Sequence, residues 1–253
     1  MFWEHRNLFG SAEKLILSLD GTEIDQTAIA MFSKPGFISP RQSLKLATEF
    51  HHADTDAFRE WSTKVSAALE RRLGEHWTVS AGVLGEAATI KDDGASTQSY
   101  LAGLPLAATW STVEAADLLD PTKGWRVSMA AAPYAGSSEG SIAFLESEAQ
   151  ASVYLPLDSA KRHVFAARVR VGSLVGAATT KVPANHRFYA GGGGSIRGYG
   201  YQLVGPFDVE GRPTGGRSLL EAGVETRLRL TETVGIVPFV DVGAVSASSI
   251  PGG

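Results

Sequence analysis

Phe188 to Gly205 read FYAGGGGSIRGYGYQLVG, with Gly191, Gly192, Gly193 and Gly194 consecutive and Gly198 and Gly200 close behind. Backbone without a β-carbon can wrap closely around a phosphate, so nucleotide binding is the first chemistry to test. The spacing excludes it: no frame gives G-x-G-x-x-G, and Tyr199 stands after Gly193 to Gly198 where a P-loop needs lysine. Taken alone, the run reads as a flexible glycine-rich surface loop carrying one cation, Arg197. His51 and His52 beside Asp54 and Asp56 could bind metal, but adjacent strand residues point to opposite faces and a solvated loop is the better reading. Glu146 and Glu148 share a face, as glycoside chemistry requires, without any indicated pocket. None of the six histidines has a convincing serine partner for a hydrolase near a lipid boundary. No catalytic residue, metal site or cofactor is expected.

The composition narrows the class. The chain has 253 residues, 43% hydrophobic and 20% charged, with 28 glycines and no cysteine, so a disulfide framework is excluded. Apolar runs of about 18 residues, which a membrane helix needs, do not occur; Tyr100 to Trp110 is interrupted by Gly103 and Pro105. Aromatics at 9% and a net charge of -4 oppose disorder, and the same near-neutral balance argues against a nucleic-acid partner. Met1-Phe2-Trp3-Glu4-His5-Arg6 carries no signal peptide, which reads as a missing beginning and not as a cytoplasmic address.

Nearly every segment alternates apolar and polar with period 2. Trp61, Thr63, Val65, Ala67 and Leu69 share one face, with Ser62, Lys64, Ser66, Glu70 and Arg72 among those opposite; Phe165, Ala167, Val169 and Val171 oppose Arg168 and Arg170. The pattern predicts about twelve strands, near 2–9, 13–24, 27–33, 42–52, 58–72, 76–90, 98–112, 124–134, 142–156, 162–176, 217–231 and 234–247. Compact turns such as Leu73-Gly74-Glu75 alternate with polar loops at His51 to Ala57, Lys91 to Gln98 and Ala135 to Ser141, on the same side as the longest connector, about 177–216. Ser33 to Pro40 and Val113 to Gly124 are longer than the other turns. A soluble sandwich or lipocalin-like barrel also alternates. Strands of about ten or more residues and a charged inner-looking face fit instead an all-β, antiparallel transmembrane β-barrel with a polar lumen and an apolar belt facing lipid. Trp3, Trp61, Trp77, Trp110 and Trp125 fall near strand ends, as an interfacial girdle would place them.

On the strand from Gly216, alternation turns Leu220, Ala222, Val224, Thr226 and Leu228 toward lipid and Glu221, Gly223, Glu225, Arg227 and Arg229 toward the lumen. On the last strand Phe239, Asp241 and Gly243 face inward. Glu225 and Asp241 are therefore lumenal carboxylates on consecutive strands, and a guanidinium brought between them could bridge both. Glu221, Arg227 and Arg229 read as ordinary solvated lumen charges.

Four patches in order carry a resemblance. Gly191 to Gly194 with Ser195, Ile196, Arg197, Gly198 and Tyr199, together with Arg6-Asn7-Leu8-Phe9-Gly10 and Ala12-Glu13-Lys14, Asp120-Pro121-Thr122-Lys123-Gly124-Trp125-Arg126 and Phe239-Val240-Asp241-Val242-Gly243, resemble the outer-membrane assembly factors of the BamA and TamA family, nearest to its TamA branch. The resemblance implies a lumenal loop anchored by Arg197 on Glu225 and Asp241, with Tyr199 and Tyr201 packing beside the wall. It also implies insertion or secretion of client β-barrel and autotransporter chains in the bacterial outer membrane, in contact with lipid and with a TamB-like inner-membrane-anchored partner. Clients would enter at a seam between first and last strands. Family barrels have sixteen strands behind a row of POTRA domains, so the chain reads as a partial barrel of about twelve, without POTRA domains, without its last strands after Ile250-Pro251-Gly252-Gly253, and with no strand ahead of the Asn7-Leu8-Phe9-Gly10 hairpin. A two-partner secretion transporter and a passive porin-like channel are the competing readings.

Overall fold

The computed structural model describes residues 1–92, 94–114 and 119–250. They form one antiparallel sheet of fourteen strands: β1 (Phe2–Arg6), β2 (Lys14–Gly21), β3 (Asp25–Pro35), β4 (Gln42–Asp54), β5 (Arg59–Leu73), β6 (Trp77–Asp92), β7 (Ala95–Gly103), β8 (Leu106–Ser111), β9 (Gly124–Ser138), β10 (Ser141–Pro156), β11 (His163–Val175), β12 (Ser218–Arg229), β13 (Gly235–Ile236) and β14 (Phe239–Ser246). Counting β7 with β8 and β13 with β14 as single rows, consecutive rows are neighbours throughout. Two interruptions explain the difference from twelve. β7 and β8 both pair β6 and β9, parted at Leu104-Pro105, and β13 and β14 both pair β12, parted at Val237-Pro238. Proline has no N–H to give the ladder, so each row breaks locally and then resumes in register. β1 and the β13–β14 row are the two edges of the sheet.

The two faces differ as the alternation requires. Trp61, Val65, Leu69, Val83, Val169, Val171, Leu220, Val224, Val240 and Val242 are large, apolar and exposed on the outer face. Exposure of that much contiguous apolar surface is tolerable only against lipid. Trp77 pairs Trp110 at one level of the barrel, and Trp125 starts β9 beside them.

The inner face is less uniformly polar than its sequence suggests. The connector 176–217 between β11 and β12 lies on it, and Val182, Phe188, Ala190 and Ile196 pack against Leu101, Ile142, Phe144, Leu174, Leu219 and Val245 of the wall. Leu174 and Leu219 are fully buried. At the end where the connector is rooted, the inner face therefore turns apolar to receive it.

Several connectors differ from expectation. On the side of the long connector the links at 22–24, 55–58 and 139–140 are tight, because the polar residues read as loops continue the ladder: β4 runs through His51 to Asp54, β6 through Lys91 to Asp92, and β9 through Ala135 to Ser138. The expected asymmetry of short turns and long loops thus rests on 176–217 alone. A strand does precede the Asn7-Leu8-Phe9-Gly10 hairpin: β1 ends at Arg6, after which Asn7 N–H donates to Glu13 O at 2.6 Å and Ala12 N–H to Asn7 Oδ1 at 2.9 Å. Residues 115–118 of the Val113 to Gly124 connector and residues 251–253 lie outside the described residues.

The opposed faces make a prediction. Val65→Arg, on the outer face of β5, is expected to cost about 2–4 kcal/mol, and Ser66→Arg on the inner face much less. Denaturant titration of the chain folded into lipid vesicles measures both; equal costs would refute the assignment of faces.

Candidate functional site

Residues 191–199 of the long connector sit against β11, β12 and β14. Cross-strand register sets their receptor: Glu225 pairs Phe239, Gly223 pairs Asp241 and Glu221 pairs Gly243. All six side-chain positions face inward, so Glu225 and Asp241 are diagonal neighbours, near enough for one planar fork to reach both.

Arg197 occupies that position. Its Nε donates to Asp241 Oδ2 at 2.7 Å, Nη2 to Asp241 Oδ1 at 3.0 Å and Nη1 to Glu225 Oε2 at 2.8 Å. Its backbone N–H donates to Asp241 Oδ2 at 3.1 Å. Phe239 lies beneath the guanidinium, 3.7 Å from ring centroid to Cζ, which adds a cation–π contact. The two carboxylates hold the Arg197 guanidinium above its ordinary pKa, the Asp241 hydrogen bond being the largest cause, so it is charged at every relevant pH.

Two wall glycines make the approach possible. A β-carbon at Gly243 would stand 2.6 Å from Ile196 Cδ1, and one at Gly223 2.5 Å from Asp241 Oδ1. Either would push the loop or the carboxylate out of place. In the loop, Gly191, Gly192 and Gly198 hold positive φ. Gly193 and Gly194 have open space where a β-carbon would point, so these two do not press on the wall. Tyr199 is 61% exposed and does not pack against the wall as expected.

Alternation alone underrates the neighbouring charges. Glu221 is 2% exposed and accepts from Ser195 Oγ, whose oxygen in turn receives Gly191 N–H at 2.9 Å; Arg170 lies 3.5 Å from Glu221 and 2.7 Å from Glu148. Arg227 donates to Glu225 Oε1 at 2.9 Å and to Asp120 Oδ1 at 3.1 Å. Both residues are structural partners and not solvated bystanders: the loop covers Glu221 through Ser195, and Asp120 and Glu225 hold Arg227. Arg168, on the charged face of β11, donates to the carbonyls of Gly194 (2.8 Å) and Ser195. Its side-chain direction was legible, its partner was not.

A second attachment precedes the first in sequence. One turn of 3-10 helix, Ala184–His186, presents Asn185 to Glu60 at 3.0 Å and to Glu86 at 2.7 Å. His186 is buried edge-on against the stacked rings of Tyr134 and Phe144 and contacts Glu146 at 3.0 Å and Glu86 at 3.3 Å. Arg187 donates to Asp92 at 2.9 Å. Glu146 thus faces a loop cation, His186, whereas Glu148 pairs with Arg170 of the wall strand β11. His51 and His52 lie on opposite faces of β4: His51 contacts Asp25 at 3.2 Å, and His52 stacks on Trp61 with centroids 3.9 Å apart. Asn185-His186-Arg187, a polar triplet just ahead of the glycine run, was the signal available for this attachment.

A wall of long antiparallel strands, apolar outside and charged inside, with a loop seated in its interior on a guanidinium–dicarboxylate contact, defines a transmembrane β-barrel with an inserted loop. An Omp85 superfamily domain is matched over residues 7–252, and the chain belongs to that superfamily. Its members are bacterial outer-membrane barrels, which places the chain in that membrane. The fold is similar to BamA from Haemophilus ducreyi lacking POTRA domains 1-3, with a TM-score of 0.79, 17% identity, and coverage of 96% of this chain and 54% of that one. CdiB from Acinetobacter baumannii is similar at a TM-score of 0.60 and 15% identity, with coverage of 99% and 47%. The chain thus spans about half the length of each of these structures.

The His186 attachment carries a pH dependence. Burial pushes its pKa down, but contacts with Glu146 and Glu86 outweigh this and hold it at about 9, against an ordinary 6.5. Because the folded state binds this proton more tightly than the unfolded chain, the stabilisation is complete below about pH 6.5 and is lost as pH rises through about 9. A nitroxide at Lys181→Cys is expected to become mobile over that upper range, and His186→Gln to remove the transition; mobility independent of pH would contradict it.

Proposed function

We propose that this chain is barrel wall and lumenal loop of an outer-membrane assembly or translocation factor that helps insert or secrete β-barrel and autotransporter proteins. The supporting observation is the Arg197 contact with Glu225 and Asp241: it seats a loop on the inner face of the wall, so protein lies in the lumen where a passive pore would be open. By resemblance to the family, client strands would enter by edge pairing at a seam between the first and last strands of the whole barrel.

In this reading binding and strand exchange do the work, with no catalytic residue and no cofactor. Bilayer lipid surrounds the outer face. The sequence runs around Arg197, Asp120 and Asp241 favour the TamA branch, for which an inner-membrane-anchored TamB-like partner is the expected companion. A dedicated large exoprotein as the client would favour the two-partner secretion transporter instead.

Arg197→Ala tests the proposal. The variant is expected to insert as a heat-modifiable barrel in normal amount, yet to lower client assembly in a complementation assay by about tenfold or more, since a charge-assisted contact is worth about 1.5–3 kcal/mol. Client assembly at the wild-type level would overturn it.

A further inference from the structure

Glu225 is shared. One oxygen receives Arg197 Nη1 at 2.8 Å and the other Arg227 Nε at 2.9 Å. The far side of the Arg227 fork is held by a distant piece of chain: its Nη1 donates to Asp120 Oδ1 at 3.1 Å and to Pro121 O at 3.3 Å, and Arg229 Nη2 lies 3.9 Å from Asp120 Oδ2. Asp120 and Pro121 precede β9, whereas Arg227 is on β12, with β10 and β11 between. Three strand spacings amount to about 14 Å, so residues 119–123 must reach across the inner side of the sheet to make this contact. They do so at the barrel end opposite the roots of the 176–217 loop. Tyr154 of β10 lies on the path, its ring centroid 5.7 Å from Arg227 Cζ. A polar cavity of about 270 Å³ between the loop and the wall is lined in part by Tyr154, Arg168, Gly194, Arg197, Glu225 and Arg227.

Charge accounting around Glu225 shows what Asp120 does. Arg197, Arg227 and Arg229 are matched by Asp120, Glu225 and Asp241 only while Asp120 is in place. Without it, Glu225 is the one carboxylate left to Arg227 among the described residues. A guanidinium with a single carboxylate partner closes on both of its oxygens. The second oxygen is the one that Arg197 now uses.

We propose that Asp120 is a positioning residue for the lumenal loop. By holding the outer half of the Arg227 fork, it leaves Glu225 Oε2 to Arg197, and so links residues 119–123 at one end of the barrel to the loop inserted from the other. Asp120 is 66% exposed at the side chain, so anything that engages it from that end competes with Arg227 and loosens Arg197. An exposed ion pair adds little to folding stability, which leaves positioning as its measurable effect. The biological meaning rests on the reading that the seated loop is the working state.

The test uses the full chain, which has no cysteine of its own. Ile196→Cys, on the side of the seated loop that is buried against the wall, reports loop lifting through its rate of maleimide labelling in lipid vesicles. Asp120→Asn is expected to speed labelling about threefold to tenfold with heat-modifiability unchanged, and Asp120→Glu to restore the slow rate. In an Arg227→Gln background, Asp120→Asn should add nothing. An unchanged rate, or equal acceleration with and without Arg227, overturns the proposal. Labelling that responds as expected while Arg197→Ala retains full client assembly would instead uphold this linkage and refute the proposed function.

Discussion

Arg197 directs three side-chain nitrogens and its backbone N–H at two wall carboxylates, and the course of the 176–217 loop follows from satisfying that geometry. Asp241 is nearly inaccessible, with its side chain 2% exposed, so it tolerates ionisation there only because a cation meets it. Glu225 and Asp241 are also close enough to repel one another. The guanidinium removes that repulsion and fixes the loop in one step, and Phe239 beneath it leaves little room for another pose. Glycine at 223 and 243 is the steric counterpart of the same constraint: the wall must be thin where the loop comes nearest.

The membrane imposes the complementary condition. Every backbone donor and acceptor of a spanning segment must be paired within the protein, which the antiparallel ladder achieves between the two edges of the described sheet. Apolar side chains then face outward and charges collect inside, where a loop can neutralise them. Buried carboxylates at Glu60, Glu86 and Glu221 are meaningful only as the receiving side of Asn185, His186, Arg170 and Ser195. The connector thus makes its main polar contacts with the wall at two stations, His186 and Arg197. Breaking either leaves charges without partners in a confined space.

Strand direction and strand face were legible because period 2 is a local property: a residue's parity decides whether it meets lipid or lumen. Glu225 and Asp241 could be placed together on that ground alone. The burial of Glu221, the pairing of Arg168 with loop carbonyls and the Asp120–Arg227 contact were not legible, since each depends on where a distant connector comes to rest. The length of β6 through Asp92 and the tight link at 139–140 depart from the sequence pattern for a related reason. Polarity at Lys91 or Ser137 marks a loop in a soluble protein, but above the bilayer a strand can continue in water with polar residues on both faces.

The central claim is that Arg197 is what keeps the loop against β12 and β14. Ser195→Cys with Glu221→Cys places two thiols where Ser195 Oγ now meets the Glu221 carboxylate, and a short thiol-specific cross-linker applied to the barrel in its membrane reports whether they remain adjacent. With Arg197 present, efficient cross-linking between positions 195 and 221 is predicted, and with Arg197→Ala it should be largely lost although the barrel stays folded. Equal cross-linking in both would show that the loop is held by something else.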